Sequence, residues 1–128
     1  MNRLRVDRTP STPLVDFDPE SGLLRIEGES FPENAAKFYA PMLEWIRAYL
    51  ALEETPPVTL ECELLYFNSS TSKILMNLFD ALEERALAGR SVAVRWICRA
   101  DNETAIECGE EFGEDLESLP FEIVRRDG

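Results

Sequence analysis

The sequence predicts a single α/β domain, a mixed and mostly parallel sheet with helices packed on it, in the order ββαβαβαβ. Short stretches in which apolar residues alternate with polar ones are separated by longer stretches whose apolar residues recur every three or four positions. Strands separated by helices need crossover connections, and such crossovers make neighbouring strands parallel. A chain of 128 residues also buries about two-thirds of the surface that its unfolded form exposes, enough for one core without a staple.

Residues 1–10 read as an extended leader, because the prolines of Thr9-Pro10-Ser11-Thr12-Pro13 disfavour helix. Val15 and Phe17, the turn residues Asp18-Pro19-Glu20-Ser21-Gly22, then Leu24 and Ile26 predict a hairpin. From Asn34 the spacing turns helical through Ala35, Phe38, Tyr39, Met42, Ile46, Tyr49 and Leu50. Pro41 lies too deep for a first-turn proline, which predicts a kink or a fresh start near Ala40. Thr55-Pro56-Pro57 ends that segment, and Val58, Leu60, Cys62, Leu64 and Tyr66 alternate as one face of a strand. Helical spacing returns through Ile74, Leu75, Leu78, Phe79, Leu82 and Ala86, and Gly89 is the natural stop. Val92, Val94, Trp96 and Cys98 predict a further strand, and Asp101-Asn102-Glu103 opens a third helix that Leu119-Pro120 closes. Phe121, Ile123 and Val124 form the last strand.

Composition excludes several activities. With 25 acidic and 13 basic residues the net charge is −12, which repels phosphate backbones and anionic lipid despite the small basic arm of Arg3, Arg5 and Arg8. Partner proteins are favoured over nucleic acid. The absence of histidine removes Ser-His and Cys-His catalytic pairs and every His-containing metal site. Cys62, Cys98 and Cys108 are three cysteines without CxxC spacing, so neither a disulfide framework nor a zinc site is expected. Cys98 and Cys108 read as core positions, and packing is the default for Trp45 and Trp96. With no apolar run near roughly 18 residues and no signal-peptide pattern, a cytoplasmic protein is expected.

The chemistry-bearing stretch is Tyr66-Phe67-Asn68-Ser69-Ser70-Thr71-Ser72-Lys73, where the strand after the first helix hands over to the second helix. The carboxyl ends of strands in open α/β sheets gather ligands and modifications, because helix N-termini there present unpaired N–H groups. With Asn68 as N-cap, Ser69 falls at the first helical position, where a phosphoryl group can reach free amides and Lys73 can act as counter-charge. Ser70 and Thr71 are alternative acceptors. Asn and Ser ahead of an apolar-periodic segment are also ordinary caps, and local pattern alone favours that simpler role. The turn holds no glycine, so it cannot be a GxxxxGK[ST] phosphate cradle.

Asp101, Glu103, Glu107, Glu110, Glu111, Glu114, Asp115 and Glu117 arrive without a Lys or Arg among them. Their spacing lacks the pattern of a calcium loop, so a solvated face or docking of a basic partner outranks a metal site. Gly109 and Gly113 within this helix imply close backbone packing or fraying.

Several blocks of the chain are similar to the SiaC family of bacterial biofilm-regulation phosphoproteins, whose fold resembles STAS domains and anti-sigma-factor antagonists. They are Ser11-Thr12-Pro13, Gly28-Glu29-Ser30-Phe31-Pro32-Glu33-Asn34, Leu64 through Ser70, Phe79-Asp80-Ala81-Leu82-Glu83-Glu84, Arg95-Trp96 and Glu110-Glu111-Phe112. The resemblance spans the chain and implies one STAS-like domain over residues 1–128. It implies a non-enzymatic partner switch without cofactor or metal. The unmodified protein binds and activates a diguanylate cyclase, a serine/threonine kinase blocks this by phosphorylation, and a PP2C-type phosphatase restores it. The family's acceptor directly follows the asparagine and is commonly threonine; here it is Ser69, within a partner-binding segment of Tyr66, Phe67, Asn68, Ser69 and Ser70. Rival readings are an anti-sigma-factor antagonist and a small metal-dependent enzyme using the acidic third helix.

Overall fold

The computed structural model describes residues 1–127, which form one six-stranded sheet and three helices. The strands are β1 (Leu4–Val6), β2 (Leu14–Phe17), β3 (Leu23–Ser30), β4 (Val58–Phe67), β5 (Val92–Arg99) and β6 (Phe121–Arg126). The helices are α1 (Ala35–Leu50), α2 (Ser69–Leu87) and α3 (Glu103–Glu114). The expected order ββαβαβαβ runs from β2 to β6, and the leader adds one short strand before it.

Strand order in space equals strand order in sequence. The pairs β1–β2 and β2–β3 are antiparallel, and β3–β4, β4–β5 and β5–β6 are parallel. Three crossovers step the same way across the sheet, and because such connections are right-handed as a rule, all three helices lie on one face. That face holds the core, where Leu24, Ile26, Leu60, Cys62, Val94 and Trp96 meet Tyr39, Ile46, Leu75, Phe79 and Leu82. The other face carries charge. Arg25 pairs with Glu27 at 2.7 Å, Arg126 with Glu63 at 3.3 Å, and Arg95 with both Glu61 and Glu122.

The leader is anchored. Arg3 and Arg5 reach Asp16 at 2.7 and 3.2 Å, and the Trp45 indole N–H donates to the Asn2 carbonyl at 2.8 Å. Two of the three arginines of the predicted basic arm are therefore neutralised against the sheet. Trp45, half-buried, packs on Phe17 and Tyr49.

Helix boundaries follow from their caps. Asn34, Asn68 and Asn102 each accept the backbone N–H three residues on, at Lys37, Thr71 and Ala105. α1 does not restart near Ala40: it is one element, with the exposed Pro41 inside it. α2 ends in a Schellman motif, where Gly89 has φ of 92° and the N–H groups of Gly89 and Arg90 bond the carbonyls of Ala86 and Arg85. α3 stops at Glu114 rather than at Leu119-Pro120, because the Glu83 carboxylate draws the next residues out of the helix. It accepts the N–H groups of Glu117, Ser118 and Leu119 at 2.7, 2.5 and 2.9 Å.

Close packing explains the α3 glycines. A Cβ on Gly109 would lie 2.5 Å from Trp96 Cδ1, and one on Gly113 would lie 3.1 Å from the Phe121 ring. The Trp96 indole N–H also donates to the Ala105 carbonyl at 2.8 Å. The helix is seated on the Trp96 ring.

Candidate functional site at the start of the second helix

Parallel strands sharing one sense, each followed by a helix on the same face, bring all three asparagine-capped helix N-termini to one end of the molecule. The Tyr66–Lys73 stretch lies at the centre of that rim.

β4 reaches the rim through a bulge. Gly28 pairs with Leu64 but Glu29 pairs with Tyr66, so Leu65 is an extra residue without a partner on β3. An extra residue reverses the inward–outward alternation beyond it. This corrects the sequence expectation that Tyr66 shares the buried face of Leu60, Cys62 and Leu64. Tyr66 is turned outward and is 54% exposed, and the extra residue Leu65 is 48% exposed. Phe67 is turned inward, edge-on to Trp96 at a centroid distance of 5.7 Å. Phe67 therefore supports the rim from within and offers little of its ring to a partner. The Leu65 carbonyl accepts from Asn102 Nδ2 at 3.3 Å, tying the bulge to the cap of α3.

Outside the sheet, Tyr66 meets Phe31 edge-on at 5.8 Å, and Phe31 is 40% exposed. The Phe31 N–H is held by the Ser11 carbonyl at 2.8 Å, so the leader positions this ring. Two exposed aromatic rings thus stand beside the first turn of α2.

Within that turn the hydroxyls have different fates. Ser69 and Ser70 are exposed at the first two helical positions, where backbone N–H groups have no intrahelical acceptor. Asn68 is half-buried, and its Oδ1 accepts the Thr71 N–H at 2.9 Å. Lys73 is exposed and lines a cleft of ≈ 410 Å³ between α1 and α2 with Asn34, Ser70, Ile74 and Asn77.

Thr71 is corrected as an acceptor because its side chain is fully buried. Its hydroxyl donates to the Ser30 carbonyl at 3.1 Å and lies 2.8 Å from Ser30 Oγ, which in turn lies 2.7 Å from Tyr39 Oη. Each hydroxyl has one proton, so a single assignment satisfies all three: Tyr39 donates to Ser30, Ser30 to Thr71, and Thr71 to the Ser30 carbonyl. Burial pushes the Tyr39 phenol well above its ordinary range, with Ser30 partly opposing the shift. This relay ties the end of β3 and α1 to the first turn of α2. Sequence reasoning placed Tyr39 only on an apolar stripe and gave Ser30 no role. A serine at an inward position of a strand was the available signal.

The cysteines offer no nucleophile. Burial raises the Cys62 thiol to about 12, and the Cys98 and Cys108 thiols are raised as well, chiefly by burial. Among the described residues no group of three or more Cys, Asp or Glu side chains is placed to hold a metal ion. No helix among them is long and apolar enough to cross a membrane.

The sheet thus carries charge on one face and helices on the other, and ends in a rim where two accessible serine hydroxyls stand beside two exposed aromatic rings. Residues 6–126 match the family described as SiaC family regulatory phosphoprotein, and the chain belongs to that family. An uncharacterised protein of Pseudomonas aeruginosa (strain UCBPP-PA14) is 38% identical over 127 residues, 99% of each chain. Crystalline apo-SiaC of Pseudomonas aeruginosa has a TM-score of 0.86 and 36% identity over 97% of this chain and 99% of its own. In a complex described as diguanylate cyclase SiaD with its activator SiaC, from the same organism, the similarity gives a TM-score of 0.90. Identity there is 37%, over 96% of this chain and 99% of the matched one.

Proposed function

We propose that this protein is a non-enzymatic, cytoplasmic partner switch that binds and activates a diguanylate cyclase, raising cyclic di-GMP, and that phosphorylation of Ser69 turns it off. The observation that carries the reading is the exposed Ser69 hydroxyl at the first position of α2, beside the exposed Tyr66–Phe31 pair. The 0.90 TM-score to SiaC in its cyclase complex supports the choice of partner. A serine/threonine kinase adds the phosphate and a PP2C-type phosphatase removes it.

The mechanism is local. A phosphate brings about −1.5 to −2 charges and a hydration shell into a surface that the cyclase must cover against two aromatic rings. Desolvating that group costs far more than the apolar contact returns, so the complex is lost. The N–H groups of Ser69 and Ser70 and the ammonium of Lys73 can donate to the phosphate oxygens in the free protein, so the fold survives modification. Tyr66, Phe31, Ser69 and Ser70 form the contact; Asn68 and Phe67 hold it in place.

The test is calorimetry and a cyclic di-GMP production assay with the purified cyclase. Wild type and Ser69→Ala are expected to bind and activate. Ser69→Glu is expected to do neither while keeping the same unfolding midpoint. Equal activation by Ser69→Glu would sink the reading.

A further inference from the structure

One groove begins at Ser72, at the edge of the rim, and runs away from it along α2. Between α2 and α3 a cavity of ≈ 260 Å³ is lined by Met76, Phe79, Cys108, Phe112 and Leu116 and edged by Asp80, Glu111, Glu114 and Asp115. Its floor is apolar and partly open: Met76 is 51% exposed. Its edge is acidic and unpaired, since among the described residues the ion pairs include none of those four carboxylates. The Cys108 thiol senses the field: burial raises it first, and Glu111 and Glu107 raise it further.

The walls are held in place. Gly109 seats α3 on Trp96, and Glu83 grips the N–H groups of residues 117–119, fixing the loop that carries Asp115 and Leu116. On α2 the groove runs from Ser72 to Asp80, about 12 Å along the axis, or two turns of a facing helix. An apolar floor of that length between carboxylate edges matches a helix with apolar residues at i and i+4 and Lys or Arg on both flanks. A methionine floor adapts to the shape of such side chains.

We infer that the α2–α3 groove is a docking site for a basic amphipathic helix of a partner protein, adjoining the rim but distinct from the contact formed by Ser69, Tyr66 and Phe31. Charge complementarity selects the occupant: an acidic or neutral helix would leave four carboxylates facing a partner without compensation. Ser69 lies beyond the upper end of the groove, one turn before Ser72. Negative charge there adds to the attraction for a basic helix, so docking persists when the rim is switched off.

The test uses the full chain and three fluorescein-labelled 14-residue peptides read by anisotropy and by amide chemical shifts. One is a lysine-rich helix with leucines at i, i+4, i+7 and i+11, the second has the same leucines with glutamate for lysine, and the third scrambles the first. Expected is binding of the first alone, with shift changes centred on residues 72–80 and 108–116. Met76→Glu and the pair Glu111→Lys and Asp115→Lys should each weaken it about tenfold or more, and Ser69→Glu should leave it intact. Binding of the scrambled peptide as tightly as the first would show general attraction to an acidic surface and overturn the inference. So would absence of binding, shifts confined to the rim, or loss of binding in Ser69→Glu. Failure here leaves the cyclase assay untouched, because that assay reads Ser69.

Discussion

At the scale of single residues, adjacent hydroxyls of the same chemistry have opposite roles because the helix turns each to a different environment. Ser69 faces water and Thr71 faces Ser30. Peptide mapping of kinase-treated protein is therefore expected to find phosphate on Ser69 and none on Thr71. A phosphorylated Thr71 in folded protein would contradict the burial seen here. The same burial makes Thr71 structural. Thr71→Val takes away the acceptor of the Ser30 proton, leaving a buried donor unsatisfied at about 1–3 kcal/mol. Ser30→Ala breaks two links at once, and since both changes remove the same Ser30–Thr71 bond, the double variant should lose less than the sum of the singles. Urea unfolding of the four proteins measures this directly, and strict additivity would mean that the relay is not one network. The serine at position 69 was legible from the asparagine before it. The relay was not, because it joins Ser30 to Thr71 across 41 positions of sequence.

At the scale of elements, alternation and three-and-four spacing read correctly wherever the backbone stayed regular. They failed where it did not. Tyr66 continues the apolar alternation of β4 on paper, yet Leu65 adds one residue and sends Tyr66 outward and Phe67 inward. No local pattern announces such a bulge, since Leu-Leu-Tyr-Phe is apolar on either face. The sequence lets α3 run to Leu119 because nothing in residues 115–118 forbids helix; Glu83, on another element, ends it. By sequence the glycines of α3 fit either packing or fraying, and Trp96 decides for packing. Gly109→Ala tests that reading with competing signs. Alanine gains about 1 kcal/mol of helix propensity. Its methyl meets the fully buried Trp96 ring at 2.5 Å, and displacing a packed indole costs about 1–3 kcal/mol. Net destabilisation is expected. Gly113→Ala meets the half-buried Phe121 ring at 3.1 Å, where a small shift suffices, so its stability should stay within about 1 kcal/mol of wild type. Thermal unfolding that ranks the two variants the other way would remove the account of α3 seating.

At the scale of the whole molecule, fold class and element order are legible in the sequence because each crossover is local, whereas the balance of charge can be assessed only on the folded surface. The chain carries −12, yet the outer face of the sheet is stitched with ion pairs, while Asp80, Glu111, Glu114 and Asp115 stand without ion pairs along the α2–α3 groove. Acid acts on these two populations with opposite signs. Protonating unpaired surface carboxylates relieves self-repulsion and favours the compact state. Asp16 behaves differently, because hydrogen bonds from Arg3 at 2.7 and 2.8 Å hold its carboxyl below the ordinary range against the opposing effect of burial. For Glu83, desolvation pulls upward, but the N–H groups of Ser118, Glu117 and Leu119 outweigh it and leave that carboxyl lowered too. A group whose folded pKa lies below its unfolded value contributes stability above the unfolded pKa and loses it as pH falls through the folded one. The unfolding midpoint is therefore expected to hold or rise slightly from pH 7 to about pH 5 and to fall below about pH 4. Asp16→Asn and Glu83→Gln should each lower the midpoint at neutral pH and flatten the acid limb, because the proton-linked loss has already been taken. An acid limb as steep in both variants as in wild type would place the lost protonation elsewhere and separate the Glu83 clamp from the stability of the α3–β6 loop.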